Sequence, residues 1–127
     1  MRIEHIGFLV ERPISMAKWW VENLGFKVLR QSGDDSYGVC FLREDNGTTL
    51  ELGNIPSERP LDLCALSPLQ VHIAIDCEDT VNEAEKLISK GAVLLGESPL
   101  NESKHERLLL RDPCGAVIHL VNRARRL

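Results

Sequence analysis

The sequence predicts an α+β domain made of two tandem βαβββ modules, residues 1–54 and 69–122, joined by a linker at 55–68. Three observations predict it. The same order of strand-like and helix-like patterns runs through both segments. Each segment has one amphipathic helical stretch that stops at a glycine. The two closing hairpins align without a gap: Phe41 to Asn54 lies over Leu109 to Asn122, with Leu42/Leu110, Arg43/Arg111, Gly47/Gly115, Leu52/Leu120 and Asn54/Asn122 identical. Two unrelated segments would not share order, glycines and hairpin, so duplication is the simpler account.

Each element has its own signal. Both modules open with a short apolar run containing histidine, Ile3 to Val10 and Gln70 to Asp76. In the first module Pro13 suits a first helical turn, and Ile14, Ala17, Val21 and Leu24 recur at helical spacing until Gly25. One or both of Trp19 and Trp20 belong to the core. In the second, Thr80 and Glu83 have the spacing of a capping box, Val81, Ala84, Leu87 and Ile88 form the stripe, and Gly91 ends it. Short strands follow at about 26–31 and 92–95. Asn46-Gly47 and Asp112-Pro113-Cys114-Gly115 are turn chemistry between the hairpin strands. Pro56, Pro60 and Pro68 mark the linker.

The 127 residues carry 15 Lys plus Arg against 19 Asp plus Glu, a net charge of −4. That balance argues against a sequence-independent nucleic-acid surface, which needs clustered cations. Arg123, Arg125 and Arg126 form only a short basic tail. No apolar run approaches the roughly 20 residues of a membrane span, and a strand starting near Met1 leaves no room for a signal peptide. The expectation is a cytoplasmic protein with neither nucleic acid nor membrane as partner. Cys40, Cys64, Cys77 and Cys114 form no C-x-x-C pair and are expected to be small buried hydrophobes in a reducing compartment.

Strand alternation selects the candidate site. Ile6, Phe8 and Val10 share one face and should pack under the first helix, leaving His5 on the other face with Gly7. Val71, Ile73 and Ile75 likewise leave His72 with Ala74. In the closing strands Glu51 lies between Leu50 and Leu52, and His119 between Ile118 and Leu120. His5 and His72 are 67 residues apart, Glu51 and His119 are 68 apart, so both pairs occupy repeat-equivalent places. A pseudo-twofold arrangement would gather all four on the uncovered face. Taken singly, each has an ordinary structural explanation; as a set, three imidazoles and a carboxylate suit one divalent ion such as Zn²⁺, Ni²⁺, Co²⁺, Mn²⁺ or Fe²⁺.

These residues give the chain a family resemblance. His5-Ile6-Gly7-Phe8, Leu50-Glu51-Leu52, Val71-His72-Ile73-Ala74 and Arg111-Asp112-Pro113-Cys114-Gly115 followed by Val117-Ile118-His119-Leu120 resemble the vicinal oxygen chelate superfamily, the glyoxalase, bleomycin-resistance and dioxygenase group. The resemblance covers nearly the whole chain. It implies strands curled into a mixed-sheet cradle around a divalent metal, a small-molecule substrate chelated through neighbouring oxygens, and a homodimer. Position 119 departs from the pattern, because most metal-bearing relatives offer glutamate there.

The function expected from this is a metal-dependent lyase or isomerase of the lactoylglutathione lyase type. It would act through a metal-stabilised enediolate on a small oxygenated substrate such as a thioester or thiohemiacetal, with Glu51 carrying the proton. Arg43, Arg107 and Arg111 are candidate cations for an anionic arm of such a substrate, with solvated hairpin charges as the plainer account. Tyr37 and His105 are further cavity candidates, with loop positions the plainer account. Two alternatives stand beside the lyase: a drug- or metabolite-binding protein without turnover, and an iron-dependent oxygenase using His5, His72 and Glu51.

Overall fold

The computed structural model describes residues 1–97 and 107–123; His105, Arg125 and Arg126 lie outside the described residues. The chain divides into two compact units, Met1–Asp62 and Leu63–Leu127, the border falling inside the proline-marked linker.

The first unit contains β1 (Ile6–Leu9), α1 (Pro13–Leu24), β2 (Lys27–Gly33), β3 (Gly38–Arg43) and β4 (Thr49–Asn54). Its sheet has the order β1-β4-β3-β2, with β1 parallel to β4 and the other pairs antiparallel. The second contains β5 (Ile73–Asp76), α2 (Thr80–Ser89), β6 (Val93–Glu97), β7 (Arg107–Arg111) and β8 (Val117–Val121), in the order β5-β8-β7-β6 with the same pair directions. Register repeats as well as order. Gly7 pairs with Glu51 as Ala74 pairs with His119, and Phe41 faces Glu51 as Leu109 faces His119. Both outer strands carry an irregularity at the same place, between Val28 and Arg30 and between Leu94 and Gly96.

Each core lies between one helix and one face of its sheet. In the first unit Trp20, Leu42, Leu52 and Cys40 are fully buried, and Trp20 packs on Phe26 with ring centroids 5.2 Å apart. In the second, Leu110, Ile118 and Leu120 take the places of Leu42, Leu50 and Leu52. The buried stripe of α1 is Pro13, Met16, Ala17 and Trp20, displaced from the expected one, and Val21 is exposed. The reason is size: turning the helix to bury Trp20 removes more apolar surface from water than Val21 would. In α2 the stripe holds at Ala84 and Leu87, while Val81 and Ile88 are exposed. The apolar row of β1 is likewise covered only at its inner end: Val10 is buried, Phe8 half-buried and Ile6 exposed, because α1 lies over β2, β3 and β4 rather than the edge strand β1.

The helix ends correct two further expectations. The N-cap of α2 is Asp79, whose side chain accepts from Asn82 N, rather than Thr80, which is buried within the first turn. The start of α1 has no cap of its own. The Asp35 carboxylate reaches it from the β2–β3 loop, accepting from Ile14 N at 2.8 Å, Ser15 N at 2.9 Å and the Ser15 hydroxyl. Gly25 closes α1 in the left-handed conformation its φ of 75° requires. A duplicated tie fastens the last strand of each unit to the loop before its helix: Asn54 Nδ2 donates to Glu11 O and Asn122 Nδ2 to Glu78 O.

The thiols are free and unequal. Cys40 is buried and Cys77 and Cys114 are half-buried, but Cys64 is exposed, contrary to the expectation for all four. Burial pushes the Cys77 thiol up to about 11, aided by Glu83, Asp76 and Asp79. Among the described residues no helix is long and apolar enough to cross a membrane.

Candidate metal centre

His5 and His72 each precede their strand by one residue, since β1 begins at Ile6 and β5 at Ile73. Strand alternation still carries back to them. In the first unit His5 Nε2 lies 3.1 Å from Glu51 Oε2. The Glu51 carboxylate has room because its neighbour across the parallel ladder is Gly7: a Cβ there would stand 3.0 Å from Glu51 Oε2. The His5 ring meets Phe41 edge-on at 5.5 Å, and its Nδ1 is bonded to the Glu4 carboxylate. That bond raises the imidazole above its ordinary value, with Glu51 adding to the effect. With Nδ1 engaged, the lone pair or proton of Nε2 faces Glu51.

In the second unit His72 and His119 meet edge to face, ring centroids 5.3 Å apart. His119 was expected on an open face, yet it is only 7% exposed, flanked on its ladder by Ala74 and Leu109. Its Nε2 is buried with no hydrogen-bond partner among the described residues. Burial lowers its proton affinity, and His72, Arg107 and Arg123 lower it further. A neutral, desolvated imidazole nitrogen with nothing to bond is a costly feature unless something supplies a partner.

Beside Glu51 the sheet face of the first unit opens into a pocket of about 510 Å³, lined by Gly7, Phe8, Leu9, Val39, Glu51, Gly53 and Ile55. It was not foreseen in the sequence. Its signal was the glycine pair Gly7 and Gly53, two places along adjacent strands where a side chain is missing.

The candidate cations are less available than expected. Arg111 donates through Nη1 to Leu63 O and Gly115 O, both at 2.7 Å, and through Nη2 to Leu66 O, holding the linker to the β7–β8 turn. Arg43 donates Nε to the Thr49 hydroxyl. Arg107 lies on the His119 face of β7, two residues from Leu109. Tyr37 is exposed in the β2–β3 loop.

A glyoxalase-like domain model matches residues 5–121. The chain belongs to the glyoxalase-like domain family. Among solved structures, maize (Zea mays) glyoxalase I is 25% identical with a TM-score of 0.73, covering 98% of this chain and 45% of its own. The chain therefore spans less than half the length of that enzyme. TnmS3, an antibiotic-binding protein from Streptomyces sp. CB03234, is 21% identical with a TM-score of 0.63, covering 98% and 99%. A glyoxalase family protein from Bacillus cereus is 16% identical with a TM-score of 0.74, covering 96% and 93%. No curated protein matches the chain. Two four-stranded mixed sheets, each with one helix, are the modules that the repeat predicted and the glyoxalase fold that the family resemblance implied.

Do this glyoxalase-like chain's residues fit a divalent ion? Among the described residues no three potential ligands cluster as a ready site. What each unit provides is a pair, His5 with Glu51 and His72 with His119. The orphaned Nε2 of His119 and the carboxylate spared a neighbour by Gly7 are donors of the kind a borderline divalent ion accepts. On that chemistry the residues fit.

Proposed function

We propose that the chain is a divalent-metal-dependent lyase or isomerase of the glyoxalase type, acting on a small oxygenated substrate, with His5, Glu51, His72 and His119 as ligands. The observation that carries this reading is the buried Nε2 of His119, without a hydrogen-bond partner among the described residues, at the place that Glu51 occupies in the other unit. A bound ion would supply Lewis-acid polarisation of two neighbouring substrate oxygens. Glu51 is the one carboxylate of the set and the group able to take a proton from the carbon next to a carbonyl and return it to the adjacent carbon. Glu4 fixes the His5 ring through Nδ1, which leaves Nε2 directed at the same place as the Glu51 carboxylate, 3.1 Å away, so that both could turn to one ion. His119, neutral and buried, donates a lone pair without adding charge.

The test is metal content together with proton exchange. Protein purified without added metal or chelator should retain near one divalent ion per chain. In D₂O it should exchange the α-proton of a suitable 2-hydroxyketone, read by ¹H NMR. His5→Ala with His72→Ala should lose the ion, and Glu51→Gln should lose exchange. Stoichiometric metal surviving the double histidine change, or full exchange in Glu51→Gln, would end the proposal. A second reading, ligand binding without turnover, is favoured by the apolar pocket beside Glu51. It predicts ligand uptake with no exchange in any variant.

A further inference from the structure

The two units differ in chemistry at matched register positions beside Glu51 and His119. Around Glu51 the pocket is lined by Leu9, Val39, Gly53 and Ile55. The equivalent places around His119 hold Asp76, Arg107, Val121 and, one residue past the aligned hairpin, Arg123. The ladders establish the match, since Leu9 pairs with Gly53 as Asp76 pairs with Val121, and Val39 pairs with Gly53 as Arg107 pairs with Val121. One copy is thus apolar and hollow. The other is charged and filled by the buried Val121.

Gly53 makes the hollow, and the fold does not require it to be glycine. It is not among the glycines with positive φ. A Cβ there would lie 3.4 Å from Leu9 Cδ2 and 3.7 Å from Gly38 O, ordinary van der Waals contacts. A glycine inside a strand weakens it and often marks close approach of a ligand. The pocket of about 510 Å³ falls in the range of small-molecule sites, roughly 300–1,000 Å³. Among the described residues Glu51 is the only charged one lining it.

We propose that Gly53 is a specificity-determining residue, opening a subsite beside Glu51 that takes an apolar, uncharged arm of the substrate. This deepens the function proposed above and rests on Glu51 facing the reacting end of the substrate. With no cation among the described lining residues, an arm ending in phosphate or carboxylate would give up its hydration to apolar walls and the Glu51 carboxylate. The substrate class is therefore an oxygenated head with an alkyl or aryl arm, in place of the anionic thioester or thiohemiacetal carrier that the family resemblance allowed.

The test uses alkyl hydroxamates, which present two neighbouring oxygens on a neutral head. Dissociation constants are measured from acetohydroxamate to octanohydroxamate with metal-loaded and with metal-free protein, following the Gly7, Gly53 and Ile55 amide signals by NMR. Affinity should rise about three- to fourfold per added methylene until the pocket is full. An arm ending in carboxylate should gain nothing. Gly53→Val, which copies Val121, should abolish the gain, as should Ile55→Arg, which copies Arg123 at an exposed rim. Affinity independent of chain length, or a gain kept in both variants, overturns the subsite. The ratio between long and short arms reads the pocket in either metal state, whereas metal retention, measured separately, reads the proposed centre.

Discussion

Glu51 and His119 occupy the same place in two copies of one sheet. Each is the third residue of its unit's closing strand. Each lies between a small residue on the parallel neighbour, Gly7 or Ala74, and an apolar one on the antiparallel neighbour, Phe41 or Leu109. The chain thus carries one acid and one base at equivalent points.

His119→Glu would make the two places alike. In metal-free protein the new carboxylate enters a buried position, with an expected loss of about 1–3 kcal/mol in urea unfolding. With metal present, a second oxygen ligand should move preference from Zn²⁺ toward Mn²⁺. Competition titration of the two ions against both proteins reads the shift. An unchanged preference would mean that position 119 does not meet the ion.

The pH dependence has a definite sign. An unfolded His119 takes up its proton near the ordinary value of 6.5, whereas the folded residue, chiefly through burial, does so only at lower pH. In that window the unfolded chain binds more protons, so stability is full above about pH 6.5 and declines as pH falls through the folded value. His119→Phe should flatten that slope in urea unfolding at pH 5, 6 and 7. His5, raised by Glu4, acts in the opposite sense at an exposed position.

Asp35→Ala removes the only side-chain cap on α1 among the described contacts and should cost about 1–2 kcal/mol. Asp35→Asn should recover part of it, since the amide oxygen still accepts from Ile14 N and Ser15 N. Equal losses for the two variants would show that charge at the helix N-terminus matters more than the hydrogen bonds.

The duplicated asparagines are not equivalent in strength. Asn54 donates to Glu11 O at 3.1 Å and to Asp35 O at 2.9 Å, Asn122 to Glu78 O at 2.7 Å. At roughly 0.5–1.5 kcal/mol per bond, Asn54→Ala should destabilise more than Asn122→Ala. Thermal unfolding of both variants decides it; the reverse order would contradict the bonding.

Chelation offers a check on the proposed centre as a whole. An ion bound only by the folded state at 100 times its Kd adds about 2.7 kcal/mol. EDTA should therefore lower Tm in the natural sequence and leave it unmoved in His5→Ala with His72→Ala.

Sequence patterns reveal what is local or periodic. The hairpins were legible because side chains alternate and Asn46-Gly47 and Cys114-Gly115 mark the turns. Alternation alone puts Gly7 and Ala74, and Glu51 and His119, on matching faces of their strands. Features that depend on distant partners were hidden. Asp35 caps a helix that begins about twenty positions earlier, and nothing near it signals this. The Arg111 guanidinium looked like a cation for a ligand until the path of the linker carbonyls was known. The α1 stripe was misjudged because helical spacing admits several apolar sets, and only packing shows that Trp20 dominates. His119 looked exposed because alternation tells the face and not what stands over it.

The irregularities between Val28 and Arg30 and between Leu94 and Gly96 have a consequence for how the chain behaves in a crowded solution. Each falls on an outermost strand, which would otherwise present a straight row of unpaired amides next to exposed Val28 and Leu29 or Val93 and Leu94. A bulge twists such a border away from the flat geometry that a stray strand needs for zippering onto it. Duplication copied this safeguard along with the fold, so both borders are protected against fibrous self-association without closing either sheet.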